Sequence, residues 1–193
     1  MLLCQGISAV NKYLLFAIIT ISLAVLDQAT KWWVIENIDL HTGEIQIIDG
    51  LFSLVHTKNR GAAFGVMQGQ MTVFAIFTAI AAGVIGHMLW QLDEDEKFQN
   101  IALGMVASGT IGNGIDRLIF QEVTDFLRVY TNHPDWKAKL YSLFGTAEWP
   151  SFNVADAAIV VGMIMFIFYF TFLEKDAEDS ELSEEPAAKP LLD

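Results

Sequence analysis

The chain has 193 residues, a length that fits one domain. Apolar residues make up 53% and charged residues 18%, with a mean hydropathy of +0.42. That excludes a disordered chain and argues against an ordinary soluble enzyme, in which about a quarter of residues are charged. The net charge of −12 argues against nucleic acid as a partner, because phosphate binding needs clustered lysine and arginine. Half of that charge lies in residues 174–193, and DEDEK at 93–97 adds −3. A single cysteine, Cys4, leaves no intramolecular disulfide and no CxxC metal site.

Four stretches approach the roughly 20 apolar residues that a membrane-crossing helix needs. They run over 13–35, 71–90, 101–120 and 154–173. Each is apolar nearly all round, so none reads as a surface helix with one wet face. The first has a core of signal-peptide length, Tyr13 to Leu26. It lacks a basic leader beyond Lys12 and runs into DQATKWW without a small-residue cleavage site, so it reads as a retained helix. In the loop that follows, EIQII and LFSLVHT flank Asp49-Gly50, the signal of a hairpin over 45–57. A short acidic loop separates the second and third spans. In the next loop Trp136, Leu140, Leu143 and Phe144 fall at helical spacing beside Lys137 and Lys139. That pattern fits a short interfacial helix or a packed loop equally. The tail from Glu174, with Pro186 and Pro190, reads as disordered. The fold class expected is a membrane all-α protein: a four-transmembrane-helix bundle over 1–173, with a small extracytoplasmic β element in the first long loop.

The polar residues converge. Asp27 and Lys31 lie toward the exit of the first span, and Asn59, Arg60 and Gly61 just before the second. Asn113, Asp116 and Arg117 lie at the exit of the third, with Asp125 close behind, and Asn153 and Asp156 at the entrance of the fourth. Because successive spans alternate direction, all of these share one side of the membrane, opposite DEDEK and the tail. An aspartate inside a span costs about 2.5–3.5 kcal/mol, so several at one depth point to use. Asp27 with Lys31 (i, i+4) and Asp116 beside Arg117 fit structural ion pairs at least as well as catalysis. Asp125 and Asp156 have no basic neighbour in sequence except Arg128, and for them function is the better reading.

Counted literally, lysine and arginine favour the polar side as cytoplasmic: Lys58, Arg60, Arg128, Lys137 and Lys139, with Lys31 and Arg117, outnumber Lys12, Lys97, Lys175 and Lys189. Among nucleophiles, Cys4 is remote, His41, His56, His87 and His133 are scattered, and neither GxSxG nor HExxH occurs. The glycines of GTIGNGID sit inside a span and suit close helix packing. Carboxylates remain. Two of them within about 3 Å cannot both ionise, so one keeps a proton. The ionised one then activates water while the protonated one polarises a scissile carbonyl. A pair of aspartates at helix ends is equally compatible with a protease, a proton-linked transporter or a Mg²⁺ or Ca²⁺ site. A scaffold whose buried ions fix helix register is a further reading.

Five blocks narrow this. DQATKWWV at 27–34, NRGAAFG at 59–65, GNGIDRL at 112–118, VTDF at 123–126 and FNVADAAI at 152–159 stand in the order found in lipoprotein signal peptidases (signal peptidase II). The chain resembles that family of four-span bacterial membrane aspartic proteases over roughly residues 13–173. The resemblance implies Asp125 and Asp156 as the catalytic dyad. It implies Asn59, Arg60, Gly61, Asn113, Arg117 and Asn153 as substrate-binding or dyad-orienting, and Asp27, Lys31 and Asp116 as supporting residues. It implies no metal or cofactor, and a prolipoprotein substrate carrying diacylglyceryl-cysteine, cut just before that cysteine. It also implies contact with membrane lipid and residence in the bacterial inner membrane, with cytoplasmic termini and an outward-facing site. That orientation is preferred to the charge count. Gly61, Ala62, Ala63 and Gly65 would allow close backbone approach, and Phe64 and Trp33 are candidate lipid-facing walls. The 31 positions from Asp125 to Asp156 exceed the spacing expected of the family, with the extra residues around 131–149 suited to a flexible lid. The acidic tail is a second departure. The rival reading, a proton-linked transporter, would need a relay through spans two and four, where His87 stands alone and no ionisable residue follows Asp156.

Overall fold

The computed structural model describes residues 11–61 and 70–173. Cys4, the Ala62–Gly65 run and the acidic tail lie outside the described residues. In chain order the elements are α1 (Lys12–Asn37), β1 (Glu44–Ile48), β2 (Phe52–Asn59), α2 (Met71–Gln91), α3 (Lys97–Phe120), β3 (Val123–Val129), α4 (Pro134–Phe144) and α5 (Val154–Phe168). A π-helical turn, Tyr169–Leu173, extends α5.

Helix α3 is the centre of the molecule and packs against α5, α1 and α2. Glycine makes the close approach possible. A Cβ on Gly109 would stand 2.2 Å from the Ala155 carbonyl oxygen, and one on Gly162 would stand 2.7 Å from that of Ala102. The small core formed by Ile85, Ala102, Leu103, Ala107 and Phe166 lies along these seams. The outer faces are the reverse of a soluble protein's: Ile18, Ile21, Val25, Ile76, Ile80 and Ile164 are about half exposed or more. At the far end the Lys12 ammonium lies against the carbonyls of Trp90 (3.2 Å) and Leu92, a cation at the C-terminus of α2.

Three helices are long and apolar enough to cross a membrane: Lys12–Asn37, Thr72–Gln91 and Val154–Phe172. The expectation of four such spans is met by three among the described residues. Helix α3 has 24 residues but carries Gln99, Asn100, Ser108, Asn113 and Asp116, all buried. Wrapped by its neighbours, it has little need to offer apolar surface to lipid, and Asn113 and Asp116 find partners inside the bundle.

The β element is larger than expected and is not confined to the first long loop. Strands β1 and β2 form the hairpin, turning at Gly50 (φ +68°), where only glycine is unstrained. Strand β3, from the loop after α3, pairs antiparallel with β2 and completes a sheet of order β1-β2-β3. Its register sets Thr57 opposite Asp125 and Asn59 opposite Val123. Val34, Ile38 and Phe126 pin the sheet to the end of α1.

The 131–149 stretch, read as a flexible lid, contains a helix. Helix α4 starts with Pro134 in its first turn and ends at Gly145 (φ +72°). Its flanks are tied to the sheet: Tyr130 N–H donates to the Leu51 carbonyl (3.0 Å), and Trp149 N–H donates to that of Val129 (2.9 Å).

Candidate active site

Asp125 sits in the middle of β3, not at a helix end. Alternation along β2 and β3 places Thr57, Asn59, Val123 and Asp125 on one face. Asn59 Nδ2 therefore reaches Asp125 Oδ2 at 3.0 Å. Thr57 Oγ1 donates to the Asp125 carbonyl (3.0 Å), fixing the strand beneath it. Arg128, three residues on, points to the other face, where it pairs with Glu44 (3.1 Å) and Glu148 (2.6 Å). It is not a partner of Asp125.

Asp156 lies in the first turn of α5 and completes a capping box with Asn153. Asn153 Oδ1 accepts from Asp156 N–H (2.9 Å), while Asp156 Oδ2 accepts from Asn153 N–H (3.2 Å). The fully buried Asn153 side chain also donates through Nδ2 to Asp125 Oδ1 (2.8 Å). Asn113 Nδ2 donates to Asp156 Oδ1 (2.7 Å), and Asn113 Oδ1 accepts from Asn153 Nδ2 (3.1 Å). Two amides thus join the two carboxylates, one from the sheet and one from a helix start, into one network. Asp125 is 3% exposed. Burial, and then the Asp156 charge, raise its pKa from 3.8 to about 7; the hydrogen bonds from Asn59 and Asn153 and the charge of Lys31 act the other way.

A second buried group stands behind the first. Lys31 Nζ contacts Asp27 Oδ2 (2.8 Å), Asp116 Oδ2 (3.1 Å) and Asn113 Oδ1 (3.2 Å). Asp27 Oδ1 accepts from Ala155 N–H (2.9 Å), one of the unpaired donors at the start of α5. Asp116 accepts from Thr124 N–H (3.1 Å) at the start of β3. The group therefore fixes both elements that carry Asp125 and Asp156. Space for Asp27 exists because residue 112 is glycine: a Cβ there would lie 2.5 Å from Asp27 Oδ2. Sequence reasoning missed Gln28, whose Nε2 bridges Asp27, the Gly112 carbonyl and Asp116 at 3.0–3.2 Å. Its signal was a second polar residue inside an apolar span.

Both aspartates open onto a cleft of about 760 Å³ between α2 and α5, with α3 as its floor. Phe74, Phe77 and Ala81 form one wall and Ala157, Val160 and Val161 the other, with Asn59, Gly61 and Arg117 at the polar end. The expected pairing of Asp116 with Arg117 does not occur. Neighbours on a helix point about 100° apart, and Arg117 stacks over the Phe74 ring of α2 (4.6 Å), inside the cleft. Arg60 is not brought to the site. Its side chain is 73% exposed and pairs with Glu122 (3.2 Å), and it does not line the cleft.

With this geometry in view, the family model for signal peptidase (SPase) II matches residues 19–172. This chain belongs to the signal peptidase II family. It is 42% identical to the lipoprotein signal peptidase of Maridesulfovibrio salexigens over 165 residues, 83% of this chain and 97% of that one. It is 39% identical to that of Geobacter sulfurreducens, covering 79% of this chain and 89% of the other. Among solved structures, one described as a bacterial membrane enzyme aligns with a TM-score of 0.70 at 25% identity, covering 89% of this chain and 92% of that one. A second so described aligns at 0.67, also at 25% identity, covering 81% and 92%. The chain is thus an enzyme of the aspartic protease class and a multi-pass membrane protein. The transporter reading finds no support in these relatives, which are named as peptidases.

Proposed function

We propose that this protein removes the signal peptide from diacylglyceryl-modified prolipoproteins, cutting just before the lipid-modified cysteine, with Asp125 and Asp156 as its catalytic dyad. The observation that carries the proposal is the amide-bridged pair of carboxylates, Asp125 buried and Asp156 half-buried, at the polar end of an otherwise apolar cleft.

The chemistry follows from a shared proton. Near neutral pH the pair holds about one proton, a property of the two groups together. A water between them loses a proton to the ionised carboxylate and attacks the scissile carbonyl carbon. The protonated carboxyl donates a hydrogen bond to the carbonyl oxygen as negative charge develops there. Collapse of the tetrahedral intermediate breaks the C–N bond, and the leaving amine of the cysteine takes a proton from the dyad. One water is consumed and the pair returns to its starting charge. Asn59, Asn113 and Asn153 hold the carboxylates in place, and the Arg117 guanidinium at the cleft's polar end orients the substrate backbone. Gly61, whose N–H donates to Asn59 Oδ1 (2.9 Å), lets the chain pass closely. Asp27, Lys31 and Asp116 support the pair from behind. Arg60 belongs in the proposal only as a rim residue.

The walls between α2 and α5 suit a helical signal peptide in the bilayer, leaving the acyl chains in lipid. In this reading α3 is a fourth crossing, residues 1–173 form one protease domain, the termini face the cytoplasm, and the dyad opens on the outer side of the inner membrane. The deciding experiment incubates purified protein with a diacylglyceryl-modified prolipoprotein and with its unmodified form, and identifies products by mass spectrometry. Cleavage before the modified cysteine, and none of the unmodified chain, is expected. Equal cleavage of both removes the lipid requirement, and cleavage of neither removes the proposed activity.

A further inference from the structure

Beyond the dyad the cleft does not end. At Trp149 and Pro150 it meets a second cavity of about 380 Å³, walled by Leu51, Val129, Trp136 and Leu140. That cavity shares Tyr130, Thr131, Ala147 and Glu148 with a third of about 480 Å³, lined by Glu44, Gln46, Arg128 and Lys137. An apolar chamber followed directly by one bearing both charge signs does not match a hydrocarbon chain, which would meet charge at its far end. It matches an extended peptide with an apolar side chain near the cut and polar residues after it. Both chambers are built from the sheet and the segment 130–150, and the apolar one begins where the catalytic cleft stops.

We infer that the chamber between β3 and α4 is a specificity pocket for an apolar side chain of the mature chain, a few residues downstream of the lipid-modified cysteine. The inference rests on the peptidase reading above. The peptide leaves the dyad over Trp149–Pro150, sets its apolar side chain against Trp136 and Leu140, and passes its next residues along Arg128, Glu44 and Glu148. The Arg128–Glu148 pair, which bridges strand to segment at 2.6 Å, holds the two chambers side by side. Burying one large apolar side chain contributes about 1.5–3 kcal/mol, which corresponds to roughly 10–150-fold in selectivity if fully realised, and several-fold in a partly open pocket.

The test compares diacylglyceryl-modified prolipoproteins that carry leucine, glycine or aspartate at each of the second to fifth mature positions. Wild type is expected to favour leucine over glycine by about 5- to 20-fold in kcat/KM at one of these positions, with aspartate poorest. Trp136→Ala and Leu140→Ala should cut that preference to within about 2-fold while leaving the glycine substrate within about 2-fold of wild type. Independently, the uncleaving Asp125→Asn protein is incubated with substrate carrying a photo-crosslinking phenylalanine analogue at the preferred position, and its crosslinks should fall on residues 136–149. A flat preference in wild type, equal losses on all substrates in the variants, or crosslinks confined to α2 and α5 would each overturn the pocket. So would a preference that changes with acyl chain length, which would assign the chamber to lipid. The crosslinking arm needs no turnover, so a failure of the peptidase reading appears as absent cleavage, separately from a failure of the pocket.

Discussion

Two groups of carboxylates share Asn113, and they are held in opposite ways. Asp27 and Asp116 clasp the ammonium of Lys31 and take backbone donors from Ala155 and Thr124. Asp125 and Asp156 are held by the neutral amides of Asn59, Asn113 and Asn153. In the first group the charges offset one another's desolvation. In the second, burial and mutual repulsion push Asp125 to about 7. In the proposed function, the identity of the partner, more than burial itself, separates a structural carboxylate from a reactive one. A cation fixes a carboxylate's charge; an amide orients it and leaves the proton exchangeable.

The largest expected effect lies on the reactive side. Asp125→Asn and Asp156→Asn should each lower kcat by about 10³-fold or more, while detergent-solubilised protein unfolds at or above the wild-type temperature. A large loss of folded protein in either would move that residue to the structural group. Lys31→Met should do the reverse, costing about 3–5 kcal/mol by leaving two carboxylates buried without their cation. The measurement is a fall in melting temperature, roughly 2–4 °C per kcal/mol for a chain of this size. Gly112→Ala comes next. Its new methyl would stand 2.5 Å from Asp27 Oδ2 and should cost about 1–3 kcal/mol, with activity falling because Asp27 anchors the start of α5.

pH separates the two groups further. Asp125 titrates near 4 in the unfolded chain and about 7 in the folded one, so the folded state binds more protons between these values. Its contribution to stability is complete below about pH 4 and is lost as pH rises through 7. Wild type should therefore melt several degrees lower at pH 8 than at pH 5, and Asp125→Asn should flatten that slope. Arg60→Ala should have the smallest effect, within about 2-fold in kcat/KM, since Arg60 pairs with Glu122 at an exposed edge.

The helices and the gathering of the polar residues at one end of the bundle were legible because apolar length and chain order alone determine them. The hairpin was legible from Asp49-Gly50, whose glycine takes the left-handed conformation that such a turn requires. Strand β3 was not: VTDFLRV is short, and its pairing with β2 is set by tertiary contacts 64 to 77 residues away. The same gap hid the link from Asn59 to Asp125. Adjacent residues also misled, since Asp116 and Arg117 are neighbours in sequence but face different helices. The charge count is a poor guide to orientation because the bases on the polar side are engaged in the fold: Lys31 with Asp27, Lys58 and Arg60 with Glu122, Arg128 with Glu44 and Glu148. Such residues report on the site more than on the direction of insertion.

Difference infrared spectroscopy across a pH titration of the purified protein tests the shared proton most directly. The account predicts one protonated carboxyl that persists at pH 6, ionises near pH 7 and is missing from Asp125→Asn. Full ionisation of every buried carboxyl by pH 5, with catalysis intact, would contradict it.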